Sequence, residues 1–203
     1  MAEEQSIWTR TLADFEQLIG AGDSITGAVA VSAVSAALAV DVLQMVLGVT
    51  ARKRNSEHLQ GLIGAAREAR VRLARAADED RAAYASYRDA VRLPKEFEGR
   101  SQAIGSALQK ASETPLAAAR AATEALGLCV ETSKLAEGAI AADVGGAAHL
   151  LAGAVRAILI SVDANLRRLK GRPFYDALVS ERRDLEAQAT ARAGEVVKLL
   201  RAS

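Results

Sequence analysis

From Gly27 to Thr50 the chain is almost uncharged, built mainly from Ala, Val, Ser and Leu with one carboxylate at Asp41, and it is closed by Arg52, Lys53 and Arg54. The run holds no aromatic residue, so nearly every side chain on it is small. Such a segment predicts a helix over 27–51 that lets neighbouring backbones approach closely and sits at the centre of a helical assembly. Its length would also span a bilayer. A mid-run carboxylate is costly in lipid and Leu, Ile and Phe are sparse, so a soluble core helix is the expectation. Asp23 and Ser24 offer oxygens to cap its start.

The remaining elements follow from the same 3.6-residue period. Residues 6–19 place Ile7, Trp8, Leu12, Phe15, Leu18 and Ile19 on one stripe that ends near Gly20 and Gly22. Residues 56–91 carry Leu59, Leu62, Ile63, Ala66, Leu73, Ala77, Tyr84 and Tyr87 on related faces and stop at Pro94. A polar connection with a short helix is expected over 95–112. A new helix then starts at Glu113-Thr114-Pro115, with Thr114 as cap and Pro115 in the first turn, and runs to about Leu135. Gly138 breaks the chain before a helix with Asp143 in its first turn, reaching about Lys170. After Gly171-Arg172-Pro173 a last helix covers 174–201. No internal repeat or linker is visible, so residues 1–203 are expected to form one all-α domain, an antiparallel bundle of six or seven helices.

Composition narrows the function. The 26 basic and 25 acidic residues leave a net charge of +1, which gives no general attraction to nucleic acid or to acidic membranes. A single cysteine, Cys129, excludes an intrachain disulfide and a Cys-rich metal site. Residues 1–25 carry Glu3, Glu4, Asp14, Glu16 and Asp23 and lack the basic start and apolar centre of a secretory leader. A cytoplasmic location and small-molecule partners are therefore expected, with no nucleic acid and no membrane. Half the residues are hydrophobic while only 3% are aromatic. That leaves more small apolar surface than a monomeric bundle covers, and a homodimer formed through helices is expected.

No zinc-protease pair, phosphate loop, Cys/His cluster or nucleophile elbow occurs, and neither a metal nor a cofactor is expected. His58 and His149 have no ligand-like neighbours and read as structural or solvent-facing. Asp143 lies between Gly138 and Gly145-Gly146 in a stretch without other charge. It either meets a helix N-terminal dipole or acts as an acid–base group in a cleft of low polarity. Ser161 and Asn165 lie one turn apart among Ile158, Leu159, Ile160 and Val162, and a buried amide needs partners. Asp80, Tyr84 and Tyr87 recur at i, i+4 and i+7 and share a face.

In order along the chain, these loci resemble the formiminotetrahydrofolate cyclodeaminase and methenyltetrahydrofolate cyclohydrolase family. The likeness covers nearly the whole chain. It rests on Met45-Val46 with Thr50 and Lys53, on Asp80, Tyr84 and Leu93-Pro94-Lys95, on Ala111 to Leu116, on Ile140-Ala141-Ala142-Asp143, and on Val162 with Asn165. The resemblance implies an all-α homodimer with active sites in clefts near the subunit interface, acting on a one-carbon adduct of tetrahydrofolate. It assigns Asp143 the role of a carboxylate stabilising an amidinium-like carbon, and Lys53 and Asn165 orientation and proton relay. Asp80 with Tyr84 forms a supporting network, while Arg52, Arg54 and Lys95 contact the anionic part of the substrate. Thr26, Gly27 and Ser161 complete the substrate-binding set.

Two departures stand out. Family members open the small-residue helix with Thr-Pro-Gly-Gly-Gly, where this chain has Ile25-Thr26-Gly27-Ala28-Val29. The Gly-Asn loop before Ile140 is also shortened. Bare backbone amides at a triple glycine approach a ligand in a way that Val29 cannot reproduce. The same fold could therefore serve as a cyclase or lyase for a non-folate imine, or as a scaffold that has lost catalysis.

Overall fold

In a computed structural model, residues 6–21 and 26–202 are described. The described chain is all-helical, with a 3-10 turn over Ile7–Thr9 and six α-helices. These are α1 (Leu12–Gly20), α2 (Ala28–Lys53), α3 (Glu57–Arg92), α4 (Arg100–Ser133), α5 (Ala139–Leu169) and α6 (Tyr175–Ala202). Short loops make successive helices antiparallel. Helices α2, α3, α4 and α5 pack in a closed ring of four, each against its sequence neighbours and α2 also against α5, while α6 lies in the groove between α4 and α5.

The lack of bulk on α2 sets this arrangement. Ala30, Ala33, Ala36, Ala37, Ala39, Val40 and Leu43 are fully buried, and alanines at the contacts permit close approach of α3 and α5. The facing side of α5 supplies Val144, Ala147, Ala148, Leu151, Val155, Ile158, Leu159 and Val162. By length and composition both α2 and α5 could cross a membrane, but 56% and 50% of their most apolar windows are buried inside the bundle. Asp41, the one charge within the apolar run, is half-exposed and lies 3.4 Å from Arg70 of α3. The Arg70 guanidinium in turn sits 4.5 Å above the Trp8 ring.

Local chemistry explains where the elements differ from expectation. The stripe over 6–19 is split because Thr11 and Asp14 form a reciprocal capping box that starts a fresh helix. Ile7 and Phe15 are buried, whereas Leu12 and Ile19 remain exposed. The cap of α2 is Gly27, without a side-chain hydrogen bond, and Asp23 and Ser24 lie outside the described residues. Ser56 caps α3 through the Leu59 amide, and the helix stops ahead of Pro94. Gly138 precedes α5 at φ +65°, a left-handed conformation open to glycine.

The largest correction concerns α4, which is one continuous helix with Pro115 inside it rather than a connection followed by a new helix at Glu113. A proline withholds the N–H that would bond to the carbonyl four residues earlier, here Ala111. The Asn165 side chain of α5 fills that vacancy, its Nδ2 donating to the Ala111 carbonyl at 2.8 Å.

Close packing around α2 makes small residues there obligatory. Ala37→Leu should lower the unfolding free energy by about 1–3 kcal/mol through overpacking, whereas Ala82→Leu on the exposed side of α3 should change it by less than about 0.5 kcal/mol. Urea unfolding of the two variants checks this.

Candidate active site

A cavity of about 340 Å³ opens at the end of the bundle where α2 begins. Helix α2 contributes Ala28 and Val29 beside Gly27, and α3 contributes Asp80, Tyr84 and Tyr87. Ala111 and Pro115 come from α4, and Ser161, Ala164, Asn165 and Arg168 from α5. The spacing on α3 is i, i+4, i+7, and on α5 it is i, i+3, i+4, i+7, so each helix turns one face into the cavity. Seven residues of helix rise about 10 Å. Asp80 and Ser161 therefore lie about that far along their helices from Tyr87 and Arg168, which stand near the helix ends.

Burial pushes the Asp80 carboxyl up from 3.8 to about 6, because removing a carboxylate from water disfavours its charged form. Such a group exchanges protons near neutrality. Asn165 is held by its bond to the Ala111 carbonyl, which turns its Oδ1 away from α4 as an acceptor. At the other extreme Arg168 donates to the Tyr87 hydroxyl at 3.1 Å and lies 5.8 Å from the centre of that ring. Among the described residues Arg168 has no carboxylate partner, and its charge is available to an anionic ligand group.

The expected site residues fall into two groups. Gly27, Asp80, Tyr84, Ser161 and Asn165 all line this cavity. Thr26 is buried next to Gly27. Lys53 and Arg54 line a separate cleft of about 270 Å³ with Thr50, Leu135, Glu137 and Ile140. That cleft lies at the far end of α2, about 37 Å from Ala28 by helix rise. Asp143 and Asn165 are likewise about 33 Å apart along α5. Asp143 is exposed and is the fifth residue of α5, past the first turn, so neither burial nor an end-of-helix amide set acts on it. A single centre uniting Asp143 and Lys53 with Asp80 and Asn165 is therefore not formed within one chain.

The basic residues sort in the same way. Arg54 bonds to the Leu135 carbonyl and lies 3.2 Å from Glu137, Arg52 is exposed, and Lys95 lies in the exposed turn after α3 without lining the cavity. The guanidinium at the cavity is that of Arg168, which residue-type reasoning passed over. Its position three residues after Asn165 and seven after Ser161 was the available signal. Among the described residues no group of three His, Cys, Asp or Glu side chains is arranged to hold a metal ion.

An all-α bundle with a desolvated carboxyl and an amide in a largely apolar cleft at one end is the class of protein that fold and cavity define. Residues 11–184 match the family model described as formiminotransferase-cyclodeaminase, and the chain belongs to that family. The fold is similar to that of formiminotetrahydrofolate cyclodeaminase from Thermotoga maritima, with a TM-score of 0.88 and 21% identity over 97% of this chain and 98% of that one. No curated protein matches the sequence.

The Asp80 shift fixes the sign of a pH effect. The folded carboxyl binds its proton more tightly than the unfolded one, so the ionisation penalty is absent below about pH 4, grows as pH rises, and is complete above about pH 6. Asp80→Asn should therefore raise stability by roughly 2–3 kcal/mol at pH 7.5 and leave it nearly unchanged at pH 3.5. Denaturant unfolding at the two pH values provides the comparison.

Proposed function

We propose that this protein catalyses C–N bond exchange on a one-carbon adduct of tetrahydrofolate, as a cyclodeaminase or cyclohydrolase, at the Asp80 cavity. Membership of the formiminotransferase-cyclodeaminase family supports the substrate class. The observation that supports the site is a half-buried, desolvated carboxyl raised to about 6 on a cavity that also holds a fixed amide.

In the reaction, water or an amine adds to an amidinium-like carbon between two nitrogens, and one of those nitrogens then leaves. As the carboxylate, Asp80 removes the proton that the attacking nucleophile sheds on bonding to carbon. As the acid, it returns that proton to the departing nitrogen while the C–N bond breaks, so charge and protons balance over the cycle. A pKa near 6 lets one group hold both roles near neutral pH. The Asn165 oxygen accepts an N–H of the substrate, Tyr84 and Ser161 border the reacting group, and Arg168 on Tyr87 takes the anionic part of the ligand. Asp80 thus takes the role that the resemblance gives to Asp143, and Arg168 the role given to Lys95.

We also propose that a second copy of the chain completes the assembly. Leu38 and Met45 on α2, at 51% and 49%, and Leu150 and Ile160 on α5, at 53% and 68%, are large apolar side chains left exposed on adjacent helices. Two copies paired antiparallel about a two-fold axis along these helices would bring the cleft of Lys53 towards the Asp80 cavity of the other copy. Light scattering at micromolar concentration should give a dimer, and a monomer would overturn this part.

Calorimetric titration with 5-formyltetrahydrofolate, a stable one-carbon adduct, tests the substrate. Micromolar binding is expected, with Asp80→Asn retaining affinity but losing about a hundredfold or more in turnover of the methenyl or formimino adduct. Arg168→Gln should weaken binding about tenfold with little change in kcat. A folded dimer that binds no folate would reject the substrate class and favour a cyclase or lyase for another imine.

A further inference from the structure

We propose that Pro115 is a positioning residue for the cavity: by withholding an N–H from the Ala111 carbonyl it recruits the Asn165 amide and holds that amide in one orientation, oxygen towards the ligand. This deepens the reading above by naming what fixes the acceptor, and it predicts that the cavity floor selects a ligand bearing an N–H.

The device originates inside α4. A residue other than proline at 115 would bond to the Ala111 carbonyl and close the helical ladder. With Pro115 there, that carbonyl is an acceptor without a backbone donor, next to a buried ring. A helix carbonyl left without its backbone donor in this part-buried position is costly, so a donor from outside the helix is favoured. Asn165 supplies it from α5 at 2.8 Å, across 54 residues of sequence.

The consequence is chemical as well as structural. A free Asn amide offers either its NH₂ or its carbonyl to a ligand, since a flip about the last torsion exchanges them. Here a flip would set the Asn165 oxygen against the Ala111 oxygen, two acceptors facing each other. Only the orientation with Nδ2 on Ala111 satisfies both groups. The Asn165 oxygen and the Asp80 carboxylate then give the cavity two acceptors on facing helices, the pattern that matches a planar group with N–H donors such as an amidine. Ala111, Pro115 and Asn165 all border the cavity, so the device lies at the site.

Two readouts test the lock without reference to substrate. The first is a double-mutant cycle in stability with Asn165→Ala and Pro115→Ala. Removing the amide should lower the urea midpoint clearly in the Pro115 background and much less in the Pro115→Ala background, where the restored N–H serves Ala111. The second is hydrogen exchange of the Asn165 side-chain amide by NMR. Exchange should be slowed in the wild type and accelerated at least tenfold in Pro115→Ala, although that variant remains folded. Equal losses in both backgrounds would overturn the lock, and unchanged exchange in Pro115→Ala would overturn the positioning role. Both readouts stand even if 5-formyltetrahydrofolate does not bind. Where it binds, Pro115→Ala should weaken it several-fold in a folded protein, and wild-type affinity in that variant would leave Pro115 a structural role alone and so overturn the proposal.

Discussion

The constraint on which the structure depends is the absence of bulk along α2. A helix whose buried positions are mostly alanine and valine, with leucine only at Leu43 and Leu47, gains little from most single contacts, and it is stable only where several helices close on it at once. Helices α3 and α5 do so directly and α4 completes the ring. The same closeness shapes the cavity. Where α2 ends at Gly27, its neighbours continue past it, and the space beyond its first turn is bordered by α3, α4 and α5. The cavity is thus a product of helix length and side-chain size before any polar group is considered.

Within that space, chemistry follows from how each polar group is held. Asp80 shares with Tyr84 and Tyr87 the α3 face that borders the cavity, and its loss of hydration raises its proton affinity. Asn165 is oriented by a carbonyl that a proline has left open, and Arg168 is oriented by a tyrosine. Carboxyl, amide and guanidinium therefore follow one another along about two turns of α3 and α5. A ligand matching that order carries a protonatable planar nitrogen group at one end and an anion at the other.

Much of this was legible in the sequence because helical period and small-residue content are local properties. The bounds of α3, α5 and α6 follow from Ser56, Pro94, Gly138 and Gly171 acting as stops. Pro115 misled for an instructive reason: read locally, proline signals a first turn, and only a donor 50 residues away shows that the helix continues. Asp143 is exposed on α5, a placement that the small apolar residues around it do not disclose because it depends on where the opposing helices pack. Arg168 was hidden among Arg167, Lys170 and Arg172, a cationic helix end of ordinary appearance. Sequence reveals which face a residue shares, whereas which face meets a cavity depends on packing.

The separation of Lys53 from Asp80 bears on how such a bundle distributes function. Within one chain the two lie at opposite ends of α2, and no rotamer change spans a distance of some 37 Å. Lys53 then either serves the cleft it lines with Arg54 and Glu137 or acts in a second copy. Of the two, the assembly accounts for more. The proposed pairing would cover Leu38, Met45, Leu150 and Ile160, four of the large apolar side chains that one chain leaves exposed. It would also bring both ends of α2 to one site, since a two-fold axis across the middle of a helix carries each end towards the position of the other.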